Sequence, residues 1–325
     1  MMNQKITVRT TEDILALVPC MLGFHPEDSI VMLAFGGKEG AFQARVDLPT
    51  RKEDVAELVA VLADPARRYG APQAALVAYG AESDLVTTSM TALADELEQC
   101  GTQVIELIRV EGERWFEIRE EDRFLCPDGV VFDLASHPLT AQWVLDGKVT
   151  HSRRQDLADS LLPEGAEVVG EVEDAAFRAA GRRHFVQPVA ERRWVTDRVV
   201  NHVAHRTVPA AEELGRLLVG LQEVRIREAT YVAMTRETAS LYVDFWRAVV
   251  RRSPEALVAA PAGLLALAAW LDGDGALAWC AVERCAASEP DHELVRVVSG
   301  MLMAAVPPSK WDPAMDALMA EKLAE

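Results

Sequence analysis

Short apolar runs alternate with amphipathic helical patterns over the first 110 residues, and this order limits the fold more than any other feature of the chain. Apolar runs at 29–35 and 74–79 are typical of strands buried on both faces, and 103–110 is predicted to resume the sheet. Helical patterns precede the first run and separate the later ones. A strand–helix–strand–helix–strand order predicts a layered α/β domain with right-handed crossovers.

Turn and capping residues predict where the first elements begin and end. Thr10 or Thr11 is expected to cap the first helix, and Gly23 is expected to end it. The stretch 36–40 (GGKEG) predicts a hairpin connection to a second strand over 41–48. The first two strands should therefore pair antiparallel.

Similar signals mark the next helix and the far margin of the sheet. Thr50 and Glu53 have the spacing of a capping box, and Pro65 is expected to close the helix that follows. Alternation around Trp115 predicts a further edge hairpin. We predict a mixed sheet with a parallel core and an antiparallel margin.

Strand signals fade beyond about residue 135, and helical patterns continue to the end of the chain. The sequence therefore predicts an α/β domain over 1–135, a connecting segment over 136–170, and an all-α domain over 171–325. Half of the residues are hydrophobic, which is enough for a substantial core.

One segment of the helical half has the spacing of a tetratricopeptide-like repeat. Small and large residues followed by a terminating proline fit the second helix of such a unit: Ala278, Val282, Cys285 and Pro290. Leu265 and Ala266 fit its first helix, and Gly300 falls at the next small position. Small side chains let paired helices approach closely, so we predict repeat-like packing, although one clear unit does not establish a repeat array.

Two segments carry a resemblance to a known family: 22–49 (LGFHPEDSIVMLAFGGKEGAFQARVDLP) and 264–285 (LLALAAWLDGDGALAWCAVERC). Together they resemble an actinobacterial family known as domain of unknown function 4192. The likeness spans most of the chain and implies no activity, substrate or mechanism. In the family pattern several cysteines cluster near a Trp-rich strand, whereas this chain keeps only Cys126 there, which leaves no assembled ligand set.

Charge and hydropathy exclude several classes of function. A net charge of −18 argues against general affinity for DNA or anionic membranes, so nucleic acid is not an expected partner. The start of the chain lacks the apolar core of a signal peptide. The most apolar region, 257–271, is broken by Pro261 and Gly263 and is shorter than a membrane helix. We expect a cytoplasmic protein without a membrane segment.

No metal or cofactor site is predicted. The five cysteines form no C-x-x-C pair, and reduced thiols are the expected state: Cys20, Cys100, Cys126, Cys280 and Cys285. His202 and His205 are spaced to share one helix face, a geometry that can bind a metal, but solvent-facing histidines are the favoured interpretation. Phosphate-loop, nucleophile-elbow and dinucleotide-binding motifs are absent from the sequence.

The loop before the first buried strand holds two candidate catalytic residues. His25 could transfer protons, and Asp28 could orient it or bind a metal. The favoured alternative is local, because Pro26 stiffens the turn while Asp28 and Ser29 satisfy backbone amides.

Two further candidates, Arg45 and Asp47, fall on one face of the second strand. If that face is covered, they could form a polar pocket with the His25 loop, and Arg45 could bind a carboxylate or phosphate. A solvated strand face or a structural Arg–Asp pair is the favoured interpretation.

A basic stretch over 178–252 carries fourteen arginines against eight acidic residues, a net charge of about +6. Its candidate binding residues are Arg182, Arg183, Arg192, Arg193 and Arg198. They could bind an anionic partner, form a solvated face, or dock onto an acidic α/β domain of the same or a neighbouring chain. Regular aromatic interleaving, typical of RNA-binding segments, is missing.

Two functional hypotheses follow. The first is a protein-interaction or scaffold module, with a protein partner or self-association through a groove between helices around 241–249 and 264–277. The alternative is an enzyme or binder of a small anionic ligand, with His25, Asp28, Arg45 and Asp47 lining a pocket of the α/β domain. The sequence favours the first hypothesis because it shows no assembled catalytic set.

Overall fold

A computed structural model describes residues 8–37, 40–118, 128–145, 149–183 and 186–311 of the chain. By internal contacts the chain divides into two compact units, Met1–Arg154 and Gln155–Glu325. The first unit contains a six-stranded mixed sheet with flanking helices, and the second is helical. The predicted fold class, a layered α/β region followed by an all-α region, is confirmed.

The α/β unit alternates helices and strands in the order that the apolar runs predict. Its elements are α1 (Thr11–Leu22), β1 (Ser29–Gly37), β2 (Gly40–Asp47), α2 (Val55–Tyr69), β3 (Gln73–Tyr79), α3 (Asp84–Gln99), β4 (Gln103–Glu111), β5 (Arg114–Glu117), β6 (Val130–Val131) and α4 (Pro138–Leu145). Thr10 caps α1 in a reciprocal capping box with Asp13, and Gly23 ends the helix in the left-handed conformation (φ 74°).

The strands are ordered β2-β1-β3-β4-β5-β6 across the sheet. β3 and β4 pair in parallel, and the other neighbouring pairs are antiparallel. The predicted parallel core is therefore one pair, joined by the crossover helix α3. Because β1 runs against β3, the start of β1 lies at the same edge of the sheet as the ends of β3 and β4.

Helices cover both faces of the sheet. On one face, α2 and α3 pack against β1 and β3 through a cluster that includes Leu62, Met90, Leu93, Met32 and Leu76. α1 lies on the other face, where the Thr11 hydroxyl donates to Glu106 of β4 at 3.3 Å. Burial of both faces explains why β1 reads as a continuous apolar run rather than an alternating one.

Two predicted boundaries of α2 are wrong. The helix runs through Pro65 to Tyr69. Proline removes one hydrogen bond, to the carbonyl of Val61, and Val61 lies at an exposed position of the helix (50%). Its start is a 3-10 turn over Lys52–Asp54 without a side-chain cap, so Thr50 does not form the predicted capping box.

Helices make up the second unit and also occupy the segment predicted as a connection. They are α5 (Arg154–Asp159), α6 (Ala166–Arg182), α7 (Pro188–His205), α8 (Ala211–Gly220), α9 (Val224–Tyr231), α10 (Ala239–Arg252), α11 (Ala259–Asp272), α12 (Gly275–Ser288) and α13 (Glu293–Met303). α5 begins at the boundary between the two units, and α4 lies in the first.

The core of the helical unit surrounds α11, which is buried from Ala259 to Leu271 and packs against α10, α12 and α13. A short connection joins α11 to α12, so the segment with repeat spacing is a helical hairpin, and Ala278 and Cys285 are fully buried in it. Gly300 does not make the close contact that the repeat spacing requires, because no described atom lies within 4 Å of the position of an added Cβ.

Candidate functional site

A cleft of about 560 Å³ opens at the carboxyl ends of β3 and β4. Four segments form it: α1, the loop before β1, the ends of the two parallel strands, and the residues after β6. Its lining is Leu15, Pro19, His25, Pro26, Glu27, Asp28, Tyr79, Gly80, Ala81, Val110, Glu111, Gly112, Glu113, Phe132, Asp133 and Leu134. Ligands of open α/β sheets characteristically bind outside the carboxyl ends of the strands, which is where this cleft lies.

Two residues at the floor of the cleft, Gly80 and Asp28, have backbone conformations that few other residues adopt. Gly80, just after β3, has φ 150°, and a Cβ there would lie 2.8 Å from Leu48 and 3.6 Å from the Asp28 carboxylate. Asp28 has φ 42°, an uncommon value for a residue with a side chain. Its carbonyl accepts the amide of Leu48 at 2.8 Å, which holds the loop against the end of β2.

His25 lines the cleft, and two backbone hydrogen bonds to His151 hold the His25 loop in place. The His25 amide donates to the carbonyl of His151 at 3.0 Å, and the His151 amide donates to Gly23 at 2.8 Å. Partial burial of the His25 ring lowers its pKa, so the imidazole is neutral at pH 7. It offers the cleft a neutral hydrogen-bonding group rather than a positive charge.

Five carboxylates line the cleft, but two of them already have partners. Glu111 accepts from the guanidinium of Arg109 at 2.5 Å. Asp133 accepts from the Ala135 amide and the Ser136 hydroxyl, both at 2.9 Å, and these hydrogen bonds lower its pKa. Among the described residues, the carboxylates of the remaining three have no hydrogen-bond or ion-pair partner: Glu27, Asp28 and Glu113.

Among the described lining residues there is no lysine or arginine, so the charged part of that lining is acidic. The Tyr79 side chain adds a hydroxyl, and burial raises its pKa far above the ordinary value, which keeps that hydroxyl protonated. The cleft therefore combines free carboxylates with neutral hydrogen-bonding groups.

The structure places the four predicted site residues in two adjacent groups. His25 and Asp28 line the cleft, whereas Arg45 and Asp47 do not. Arg45 pairs with Asp47 at 2.7 Å, donates to the Glu27 carbonyl at 3.4 Å, and lies 5.7 Å from the centroid of the Phe24 ring. The guanidinium supports the His25 loop from outside the cleft.

Sequence reasoning missed Tyr79, Glu111, Glu113 and Asp133. The first three lie at or just after the ends of predicted strands, and a glycine follows both Tyr79 and Glu111. Polar residues at strand ends are a usable signal for a site in an α/β domain. Their proximity to Asp28, however, depends on the strand order.

The predicted basic residues lie on α6 and α7 of the helical unit and in the turn after α6. Arg183 pairs with Glu223 at 3.2 Å, Arg193 with Asp197 at 3.7 Å, and Arg198 with Glu213 at 3.5 Å. Arg192 also has an interaction within the structure. Arg182, by contrast, has no ion pair among the described residues.

Arg182 and Arg183 line a groove of about 250 Å³ between α6, α8 and the start of α9. Its apolar lining comes from Ala175, Ala179, Val186, Pro188, Val219 and Ile226. Elsewhere in this unit, the helices around 241–249 and 264–277 pack directly on each other, and 264–271 is fully buried. That region forms core rather than the exposed groove that the scaffold hypothesis expects.

The favoured interpretation of solvent-facing histidines is wrong for His202, whose side chain is only 14% exposed, whereas His205 is exposed. The His202 ring is hydrogen-bonded to Thr207 at 2.7 Å and to Glu213 at 3.1 Å, and His205 bonds the carbonyl of Asn201 at 2.9 Å. In the described ranges, no group of three or more His, Cys, Asp or Glu side chains could hold a metal ion. Cys126 and its loop lie outside the described residues.

Within the described part of the chain, no helix is both long and apolar enough to cross a membrane. The family model described as "Domain of unknown function (DUF4192)" matches residues 12–309. No curated protein and no solved structure matches the chain.

Proposed function

The chain belongs to the DUF4192 family, whose description names no activity, and from the geometry of its α/β unit we propose that it binds a small cationic molecule in the strand-end cleft. The observation that carries the proposal is the lining itself. Three carboxylates without a partner among the described residues, Glu27, Asp28 and Glu113, line a cleft whose described lining contains no lysine or arginine.

Size and position support a small molecule as the ligand. The volume of about 560 Å³ falls within the range of about 300–1,000 Å³ typical of small-molecule sites. Phe132 and Leu134, which are partly exposed in the lining, provide apolar surface for the carbon skeleton of a ligand, and the carboxylates provide its counter-charges.

The sign of the lining favours a cation over the anionic ligand that Arg45 suggests from sequence. Arg45 is already paired with Asp47 and does not face the cleft. A phosphate or carboxylate entering the cleft would meet exposed side chains of like charge, which disfavours an anionic ligand.

Isothermal titration calorimetry with three four-carbon compounds tests the proposal: putrescine, butanediol and succinate. They differ mainly in end groups, which are cationic, neutral and anionic. We expect putrescine to bind and the other two to show no heat. Absence of binding by putrescine and by the longer cation spermidine would contradict the proposal.

A pair of variants separates the cleft from general attraction to an acidic protein. Glu113→Gln removes an unpartnered carboxylate of the cleft, whereas Glu57→Gln removes an exposed one on α2. We expect Glu113→Gln to weaken putrescine binding about tenfold, the scale of one charged hydrogen bond, and Glu57→Gln to leave it unchanged. Equal losses in both variants would show that the cleft is not the site.

A second candidate function, capture of a protein segment by the helical unit, has one observation in its favour. The groove between α6, α8 and α9 joins apolar lining to Arg182, whose charge has no ion-pair partner among the described residues. This chemistry fits an apolar side chain next to a carboxylate. The repeat-like spacing of α11 and α12 is consistent with this function.

Native mass spectrometry of the protein purified from its own host tests this second candidate. Ala179→Trp fills the groove, and Ala180→Trp places the same side chain on an exposed position of the same helix outside it. Loss of a bound acidic partner in the first variant alone supports segment capture. Retention of the partner in both variants contradicts it, and a small cationic adduct instead supports the cleft.

A further inference from the structure

Arg109, near the end of β4, is a buried charge beneath the cleft. Only 6% of its side chain is exposed, and burial of a guanidinium is costly unless its N–H groups are bonded. It donates to the Gly80 carbonyl at 3.4 Å, to Glu82 at 3.5 Å and to Glu111 at 2.5 Å. These partners come from the loop after β3 and from the end of β4.

An aromatic ring holds the guanidinium in place. The Arg109 guanidinium carbon lies 4.3 Å from the centroid of the Phe116 ring on the neighbouring strand β5. Gly129 packs against that ring so closely that an added Cβ would come within 2.6 Å of it. The ring is therefore confined by Gly129, and the planar cation stacks on a fixed support.

Two partners of Arg109 line the cleft, although Arg109 itself does not. Gly80 forms its floor next to Asp28, and Glu111 forms part of its wall. The Gly80 amide also donates to the carbonyl of Val110 at 3.0 Å. Hydrogen bonds of the Arg109 side chain and of the Gly80 amide thus fix the loop after β3 to the end of β4.

The same contacts involve one of the five cleft carboxylates directly. Arg109 pairs with Glu111, whereas Glu113, Glu27 and Asp28 have no partner among the described residues. We infer that Arg109 is the positioning residue of the cleft: it fixes the loop after β3, whose Gly80 lies next to Asp28, to the end of β4 that leads to Glu113, and it pairs with Glu111. The inference rests on the proposed function only where ligand affinity is concerned, since the loop contacts stand independently.

Arg109→Lys tests the inference because lysine keeps the charge but cannot bond Gly80, Glu82 and Glu111 through one planar group. Phe116→Leu removes the stacking support and leaves every charge in place. Arg67→Lys is the control, because Arg67 forms an exposed pair with Glu96 at 3.7 Å between α2 and α3, away from the cleft lining. All variants are compared at a temperature where circular dichroism shows them folded.

Hydrogen–deuterium exchange gives the first readout. We expect exchange to rise about tenfold in peptides covering 79–82 and 110–113 of Arg109→Lys, and less in Phe116→Leu, while the centre of β1 stays protected. Arg67→Lys should match the wild type. Unchanged exchange in the two loops, or a uniform rise across β1, β3 and β4, would overturn the positioning role.

The affinity for putrescine gives the second readout. It distinguishes failure of the positioning role from failure of the proposed function. We expect Arg109→Lys to weaken binding about tenfold and Arg67→Lys to leave it unchanged. If the wild type binds neither putrescine nor spermidine, the proposed function fails, and a rise of exchange confined to the two loops still supports the positioning role. If wild type and Arg109→Lys bind putrescine equally, the positioning role fails and the proposed function stands.

Discussion

The helical unit and the strand-end cleft use charged residues in different ways. In the helical unit, arginines and carboxylates of different helices meet in pairs such as Arg216–Glu191, Arg227–Glu293 and Arg198–Glu213. In the cleft, three of the lining carboxylates have no partner among the described residues. The basic stretch, which suggests a binding site from its charge alone, mostly uses its charges in ion pairs within the helical unit.

This difference shows that a local excess of charge does not identify a binding site. The basic stretch has a net charge of about +6, yet most of its candidate binding residues have partners within the helical unit. The cleft involves only a few acidic residues from separate parts of the sequence. What distinguishes them is the absence of a partner, which only the three-dimensional arrangement reveals.

The largest expected effect on the free energy of unfolding comes from removing a largely buried ion pair of the helical unit. Arg227 is 8% exposed in its side chain and bonds Glu293 at 2.9 Å and the Leu221 carbonyl at 2.9 Å. Arg227→Met should lower the free energy of unfolding by about 3 kcal/mol, because it leaves partners of a largely buried charge unsatisfied. Hydrogen exchange of α9 and α13 measures the loss within this unit.

Arg183→Met is the matched control on the surface. Its pair with Glu223 is 3.2 Å long, and 47% of the Arg183 side chain is exposed. We expect a loss below about 1 kcal/mol, as for other exposed pairs. Equal losses in the two variants would break the comparison, because burial would then not decide what a pair contributes.

The next effect concerns the crossing of α6 and α8. A Cβ on Gly215 would lie 2.5 Å from the backbone nitrogen of Ala176, so Gly215→Ala must push the helices apart. We expect a loss of about 2 kcal/mol from overpacking. Gly170→Ala, on α6 with no atom within 4 Å of the added Cβ, should instead stabilise the protein by up to about 1 kcal/mol. Thermal unfolding of both variants checks the opposite signs.

Much of the α/β fold was predictable because its signals are local. Run 29–35 became β1, run 74–79 became β3 and run 103–110 became β4, each within two residues at either end. Apolar periodicity and turn residues act over a few positions and survive in the fold. The end of α2 was not predictable from Pro65, because a helix can lose one hydrogen bond at an exposed position such as Val61 and continue.

The candidate site was only half predictable, for a physical reason. A loop before a buried strand pointed to His25 and Asp28, and both line the cleft. Glu113 joins them only because β3 lies between β1 and β4 in the sheet. Strand order depends on contacts between distant segments, which local periodicity does not encode.

His292 should make the stability of the helical unit depend on pH. His292 is 3% exposed, and its Nδ1 accepts the Leu294 amide at 3.2 Å as the cap of α13. Burial lowers its pKa, and the nearby positive charge of Arg227 lowers it further, against smaller opposing contributions from Glu289 and Glu293. The folded protein therefore holds His292 neutral.

The sign of the pH effect follows from linkage. The unfolded chain binds a proton at His292 with a pKa of about 6.5, above that of the folded state. The contribution of neutral His292 to the stability of the helical unit is thus fully present above that pH. The free energy of unfolding falls as the pH drops from 7.5 to 5.5. Urea unfolding at both pH values, with His292→Asn as the variant that retains a capping side chain, measures the effect. An equal fall in His292→Asn would assign it to other groups.

The smallest expected effect on stability is the most informative about the cleft. Asp28→Asn keeps a residue that tolerates the left-handed conformation (φ 42°) and removes a carboxylate that has no partner among the described residues. We expect the free energy of unfolding to change by less than about 0.5 kcal/mol, since no ion pair is lost. Glu293→Gln in the helical unit should cost more, because it deprives the largely buried Arg227 of its counter-charge. If Asp28→Asn destabilises the protein as much as Glu293→Gln, the Asp28 carboxylate supports the fold, and the contrast between a paired helical unit and an unpaired cleft is lost. A near-neutral Asp28→Asn that also weakens putrescine binding would leave ligand binding as the role of that carboxylate.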